Sequence, residues 1–183
     1  MDNSELDFQN IYDTYQPRIL RYLVRLVGEP EAEDLAQEVF VKVDQALKSF
    51  RGESQLSTWL YRIATNTAID KMRTASFRQD AEFNWLDVSN ENDVQDVWTE
   101  EEEPSLEQQI MRKEMYECFV DFVKRLRPNY RTIVVLSELE ELTNNEIAEI
   151  LGLSLDVVKI RLHRGRARLF QELKTHCNAE DWL

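Results

Sequence analysis

Glycine and proline are scarce, with four of each in 183 residues. Sandwiches and barrels built from many short turns draw on both, so the composition points to an all-α chain. Cysteine is scarcer still, at 118 and 177 alone. That argues against a secreted disulfide framework. The start has no apolar block behind a basic stretch, so no signal peptide is expected and the cytoplasm is the expected compartment. Charged residues interrupt every hydrophobic run well short of the roughly 18 apolar residues that a membrane helix needs, so no direct membrane insertion is expected. At 21.7 kDa the chain allows one medium domain or two small ones and excludes a large enzyme barrel.

Charge is plentiful and unevenly spread. The formal net charge of −13 would ordinarily discourage binding to phosphate backbones. Yet residues 1–78 carry −2 and residues 112–183 are neutral, while the stretch 79–111 holds eleven acidic side chains and no basic ones. That stretch contains Glu100 to Glu103 and lacks sustained periodicity until Leu106, so it reads as a linker between two domains. An acidic linker is either a solvated spacer or a mimic of a polyanion lying in a basic channel.

The first domain reads as three helices. Phe8, Ile11, Tyr12, Tyr15, Ile19, Leu23 and Leu26 recur at helical spacing, with Pro17 expected to bend or divide the segment and Gly28 to end it. Leu35, Ala36, Val39, Phe40 and Val43 form a second stripe, with Asp34, Gln37, Glu38 and Lys42 on the remaining surface. Alone, that acidic patch is ordinary solvated surface. A third helix runs from about Leu56 to Arg73, and Trp59, Arg62, Asn66, Asp70 and Arg73 share its other face. Guanidiniums that screen phosphates, a ring that stacks on an unpaired base and an amide that reads a base edge suit a single strand. The competing reading buries Trp59 in the core, as large aromatics usually are.

The second domain carries a sharper signature. Leu106, Ile110, Met115, Phe119, Phe122 and Leu126 outline one helix, and Pro128 opens another through Leu139. Thr143-Asn144-Asn145-Glu146 has the form of a capping box, Gly152 stops the helix it starts, and Ser154 caps the next. Two helices meeting at so short a corner, with small Ala148 at the crossing, form a helix-turn-helix. With Val158, Leu162, Gly165 and Leu169 buried, Arg161, Arg164 and Arg168 fall on one flank and Lys159 and Arg166 on the other. Ile160 falls opposite the buried stripe, where it can touch a thymine methyl.

Laid out in this order, the chain resembles the extracytoplasmic-function (ECF) family of bacterial RNA polymerase sigma factors over nearly its whole length. Asp34-Leu35-Ala36-Gln37-Glu38-Val39-Phe40 is similar to the family's polymerase-docking helix. Phe50-Arg51-Gly52-Glu53-Ser54 joined to Thr58-Trp59-Leu60-Tyr61-Arg62-Ile63-Ala64-Thr65-Asn66 is similar to its strand-opening segment. Val158 to Arg166 is similar to its −35 recognition helix, with Ile160 standing where the family commonly has a small polar residue.

The resemblance implies two small helical domains, 1–78 (region 2) and 106–183 (region 4), joined by an acidic linker over 79–105 that threads the polymerase cleft. It implies that Asp34, Gln37, Glu38 and Phe40 dock on core RNA polymerase. Arg51, Ser54, Gln55, Trp59, Arg62, Asn66, Lys71 and Arg73 would hold the −10 element as a single strand. Thr143, Val157, Lys159, Ile160, Arg161, His163, Arg164 and Arg168 would contact the −35 element. The expected partners are bacterial core polymerase, promoter DNA and an anti-sigma factor, with no cofactor, metal or small-molecule substrate. The alternative is a freestanding helix-turn-helix regulator that binds duplex DNA without polymerase. An enzyme has little support, since His163 and His176 lack a nucleophile or ligand partner at motif spacing.

Overall fold

The computed structural model describes residues 7–73 and 118–176. Regular structure among them is entirely helical. The first half holds α1 (Phe8–Val27), α2 (Glu29–Leu47) and α3 (Leu56–Arg73). The second half begins with helical residues 118–125 (α4). It continues through α5 (Pro128–Val134), a π-helical turn (Val135–Leu139), α6 (Asn144–Leu151) and α7 (Leu155–His176). The expected linker and its flanking apolar positions Leu106, Ile110 and Met115 lie outside the described residues, as does Cys177.

Pro17 does not divide α1, which runs unbroken through it. The bond it removes would have ended on the carbonyl of Asp13, and both residues are exposed, so water can take that place. The opposite face buries Ile11, Ile19, Tyr22, Leu23 and Leu26, and each such side chain contributes about 1.5–3 kcal/mol of transfer free energy. Val39 and Val43 of α2 and Leu60, Ala64 and Ala68 of α3 complete this core. The alanines let the three axes approach closely. Lys42 ties α2 to α3 by donating to Thr67 Oγ1 at 3.1 Å.

In the second half α5 and α7 cross at Gly165. A Cβ there would lie 2.8 Å from Val134 Cγ2 and 3.6 Å from Tyr130 Cβ, so only glycine permits this approach. Ile133, Val134, Leu136, Ile147, Ile150, Val158, Leu162 and Leu169 fill the space around it.

The halves do not stay apart. α3 packs on α6, α1 touches α5 and the π turn, and the buried apolar residues of both halves belong to one cluster. Polar links also cross the junction. Arg131 donates to the carbonyl of Leu26 at 2.8 Å and to that of Leu126 at 3.1 Å, placing positive charge at the C-terminal end of α1, where the helix dipole favours it. Arg25 Nη1 reaches Glu140 Oε1 at 2.6 Å. The Tyr61 hydroxyl donates to the other oxygen of the same carboxylate.

Candidate nucleic-acid interface

The helix-turn-helix forms as its sequence dictates. Thr143 accepts from the Glu146 amide while the Glu146 carboxylate accepts from the Thr143 amide at 2.8 Å, so the capping box closes in both directions. Gly152 takes a left-handed φ of 63°, and Ser154 caps α7 by accepting from the Val157 amide at 3.4 Å. Val158, Gly165, Leu162 and Leu169 are buried, as the helical stripe requires.

The outward face of α7 carries Lys159 and Ile160, both exposed, with Ile160 at 44%. An aliphatic side chain open on this face fits a contact with a thymine methyl. Arg164, His163 and Val157 are half-buried along the edges, and Thr143 is exposed at the start of α6.

Arg161 departs from the expectation. Helical spacing puts it on a phosphate-facing flank, but only 4% of it is exposed. Burial lowers the pKa of its guanidinium, and nearby Tyr130 acts in the opposite sense. In this arrangement Arg161 belongs to the packing between α7 and α5. Arg168 lies 4.7 Å over the Tyr130 ring, a cation–π contact that holds it along the same seam. Arg166 is tied to Glu138 of the π turn at 2.8 Å. Lys159 is exposed on the outward face of α7, and Arg164 is half-buried at its edge.

On α3, Arg62, Asn66, Asp70, Lys71 and Arg73 are exposed, so the expected face is open to solvent. Trp59 follows neither expectation fully. It is half-buried, with its ring 4.9 Å from that of Phe50 at an interplanar angle of 45°. That contact pins the base of the loop 51–55, and the Trp59 amide donates to the Gln55 carbonyl at 3.0 Å. Arg51, Glu53 and Gln55 project into solvent from the loop, and Ser54 is half-buried.

A third feature lies in the first half. An open groove of about 630 Å³ runs between α1 and α2, lined by Tyr12, Leu20, Ala36, Gln37, Phe40 and Val41 among others. Phe40 is buried beneath Tyr12, the rings 4.9 Å apart edge to face, so it forms the groove's floor rather than its rim. Val41 is 56% exposed and Tyr12 37%, an apolar lip next to exposed Asp34, Gln37 and Glu38. The periodicity that puts Tyr12 on the apolar stripe of α1 gives no sign that it borders this opening.

A capped helix-turn-helix with a basic, partly apolar outward face, joined to a second helical unit with a cationic face and an apolar groove, defines a transcription protein that touches nucleic acid at two places. The comparisons specify it further. The sigma-70 region 2 family model matches residues 11–78 and the sigma-70 region 4 model residues 116–169. The RNA polymerase sigma factor YlaC of Bacillus subtilis is 37% identical over 163 residues, covering 88% of each chain. The ECF RNA polymerase sigma factor SigW of the same organism is 36% identical over 173 residues, 91% of this chain and 89% of its own. Among solved structures, the sigma factor RpoE of Bartonella quintana, in complex with the anti-sigma factor NepR, superposes with a TM-score of 0.65 at 23% identity, covering 93% of this chain and 98% of that one. The chain belongs to the ECF sigma factors of the sigma-70 family.

Proposed function

We propose that this chain binds bacterial core RNA polymerase in the cytoplasm, directs it to promoters with −35 and −10 elements, and promotes strand opening without catalysis or a cofactor of its own. The observation that carries the reading is the pairing, in one chain, of an open face on α3 bearing Arg62, Lys71 and Arg73 within the region 2 match with a capped helix-turn-helix within the region 4 match. In this reading residues 1–78 dock and hold the −10 element, 79–105 thread the enzyme, and 106–183 hold the −35 element.

Arg51, Gln55, Arg62, Asn66, Lys71 and Arg73 are the exposed residues assigned to the −10 strand, with Ser54 at the edge of the loop. The open part of the Trp59 ring supplies the stacking surface. Unstacking a base costs a few kcal/mol, and aromatic stacking at about 1–3 kcal/mol per base offsets much of it. Lys159, Ile160 and Arg164, flanked by Thr143, Val157 and His163, are assigned to the −35 duplex. The groove between α1 and α2, with Gln37 and Val41 at its lip and Asp34 and Glu38 beside it, is assigned to polymerase docking. The Bartonella quintana RpoE structure is a complex with the anti-sigma factor NepR, and a partner of that kind is proposed here as well.

The test is run-off transcription with purified core polymerase on a library of promoter variants. Transcription from a defined pair of elements, with Asn66→Ala relaxing preference over the −10 positions, is the expected result. Tight duplex binding by the free chain with no polymerase-dependent initiation would instead favour a freestanding regulator.

A further inference from the structure

The first two turns of α7 carry two aliphatic side chains near its open face. Val157 is half-buried and Ile160 exposed, and at three residues apart they are neighbours on the helix surface. A lone exposed aliphatic is ordinary on a protein surface and by itself says little. The position of this pair says more. In a helix-turn-helix the N-terminal turns of the second helix meet base edges in the major groove, and these are the turns that Val157 and Ile160 occupy.

The rotation of α7 that presents them is fixed at several points. Ser154 takes the Val157 amide on its hydroxyl at 3.4 Å and the Val158 amide on its carbonyl at 3.1 Å. Val158, about 200° round the helix from Ile160, is fully buried, and Leu162 is 4% exposed. Farther along, Gly165 seats the helix against Val134 and Tyr130. Turning Ile160 inward would bring Val158 out, so the outward ridge is a property of the packed helix.

Neither side chain has a donor or an acceptor, so neither can read the polar pattern of a base edge. The apolar group that the major groove offers is the C5 methyl of thymine. Both residues are β-branched and nearly confined to one χ1 rotamer in a helix, so they present their hydrocarbon at little cost in rotamer freedom. Exposed Lys159 and half-buried Arg164 bring positive charge beside them, which draws in the phosphate backbone whatever the sequence.

We propose that Val157 and Ile160, with Ile160 the principal part, read the C5 methyl group itself, so that −35 recognition sorts pyrimidines by methylation: thymine over uracil, and 5-methylcytosine over cytosine. This rests on the sigma-factor reading and deepens its −35 assignment. Thymine and 5-methylcytosine share the methyl and differ at C4, where these side chains have nothing to bond. Methylation of a cytosine at the contacted position therefore strengthens the promoter.

The experiment uses the full chain with core polymerase on synthetic promoter duplexes. One −35 thymine at a time is replaced by uracil, which keeps the adenine partner and the pairing and removes one methyl. At the position that responds, cytosine and 5-methylcytosine, each paired with guanine, are then compared. The holoenzyme concentration for half-maximal run-off is expected to rise about fourfold from thymine to uracil and to fall about fourfold from cytosine to 5-methylcytosine, the effect of one buried carbon at about 0.8 kcal/mol. Ile160→Ser should bring both ratios close to one, whereas Lys159→Ala should weaken binding to all four duplexes and leave the ratios as they are. Ratios of one for wild type at every −35 thymine overturn the proposal. So does a uracil effect with no 5-methylcytosine effect, or an Ile160→Ser chain that keeps the wild-type ratios. Circular dichroism checks the variants, and loss of helix content in Ile160→Ser passes the decision to Ile160→Ala, which keeps a good helix former at the position. No transcription on any template overturns the sigma-factor reading, a result distinct from active templates on which the methyl makes no difference.

Discussion

Gly165→Ala tests whether the position of the recognition helix is set by contact with α5. The added Cβ would stand 2.8 Å from Val134 Cγ2, well inside ordinary van der Waals separation, and Val134 is stiff at χ1 and fully buried. Overpacking of this kind costs about 1–3 kcal/mol. Alanine in place of glycine inside a helix returns about 1 kcal/mol. The net expectation is a loss on the order of 1 kcal/mol, or a fall of about 2–4 °C in Tm for a packed chain of this size, read by thermal denaturation. Val134→Ala removes the clashing methyl. The double variant should therefore show a coupling of about 1 kcal/mol in a double-mutant cycle. Because α7 carries Lys159 and Ile160, displacing it from α5 should also weaken −35 binding in the holoenzyme. A Gly165→Ala protein more stable than wild type, showing the helix-propensity gain alone, would refute the close-approach argument.

The remaining predictions separate roles that the sequence groups together. Lys159→Ala should weaken −35 binding and reduce its salt slope by about one while leaving Tm unchanged, whereas Arg161→Ala should lower Tm; the opposite pattern would return Arg161 to the DNA face. Glu38→Lys breaks a 2.8 Å pair with Lys42 on exposed surface, so it should leave stability within about 0.5 kcal/mol of wild type while weakening capture of core polymerase in a pull-down. Burial raises the pKa of Tyr22 and, with the Glu140 carboxylate beside it, of Tyr61. The folded state therefore favours the neutral phenols, and the stability they contribute is complete below about pH 10 and lost as pH rises above it. Tyrosinate absorbance from these two rings, taken as the difference from the Tyr22→Phe and Tyr61→Phe variants, should be missing just above pH 10 and appear only as the fold opens.

Much of the local structure is legible because helices write their contacts at three- and four-residue intervals. The stripes of α2, α3 and α7, the capping box at Thr143 and the stop at Gly152 all derive from neighbours close in the chain. Pro17 defies its sequence reading because its effect depends on which side of α1 the lost bond falls, and that is decided by what α1 packs against. Arg161 does so for a related reason. A helical wheel gives its angle on α7 but not the presence of α5 alongside. The junction is invisible in the sequence, since Arg25 and Glu140 are 115 residues apart and neither sits in a recognisable pattern. The groove between α1 and α2 is half legible: its acidic border comes from the resemblance, its apolar lip only from the packing.

The wide turn at Val135–Leu139 has a bearing on how this architecture tolerates change. It lets Glu138 reach Arg166 within its own half while Glu140 reaches Arg25 and Tyr61 in the other. One residue fewer would restore ordinary helical winding and swing the chain beyond it by about 100°. Chain length at this point, more than the identity of any side chain, thus decides whether two carboxylates two residues apart can face different partners at once.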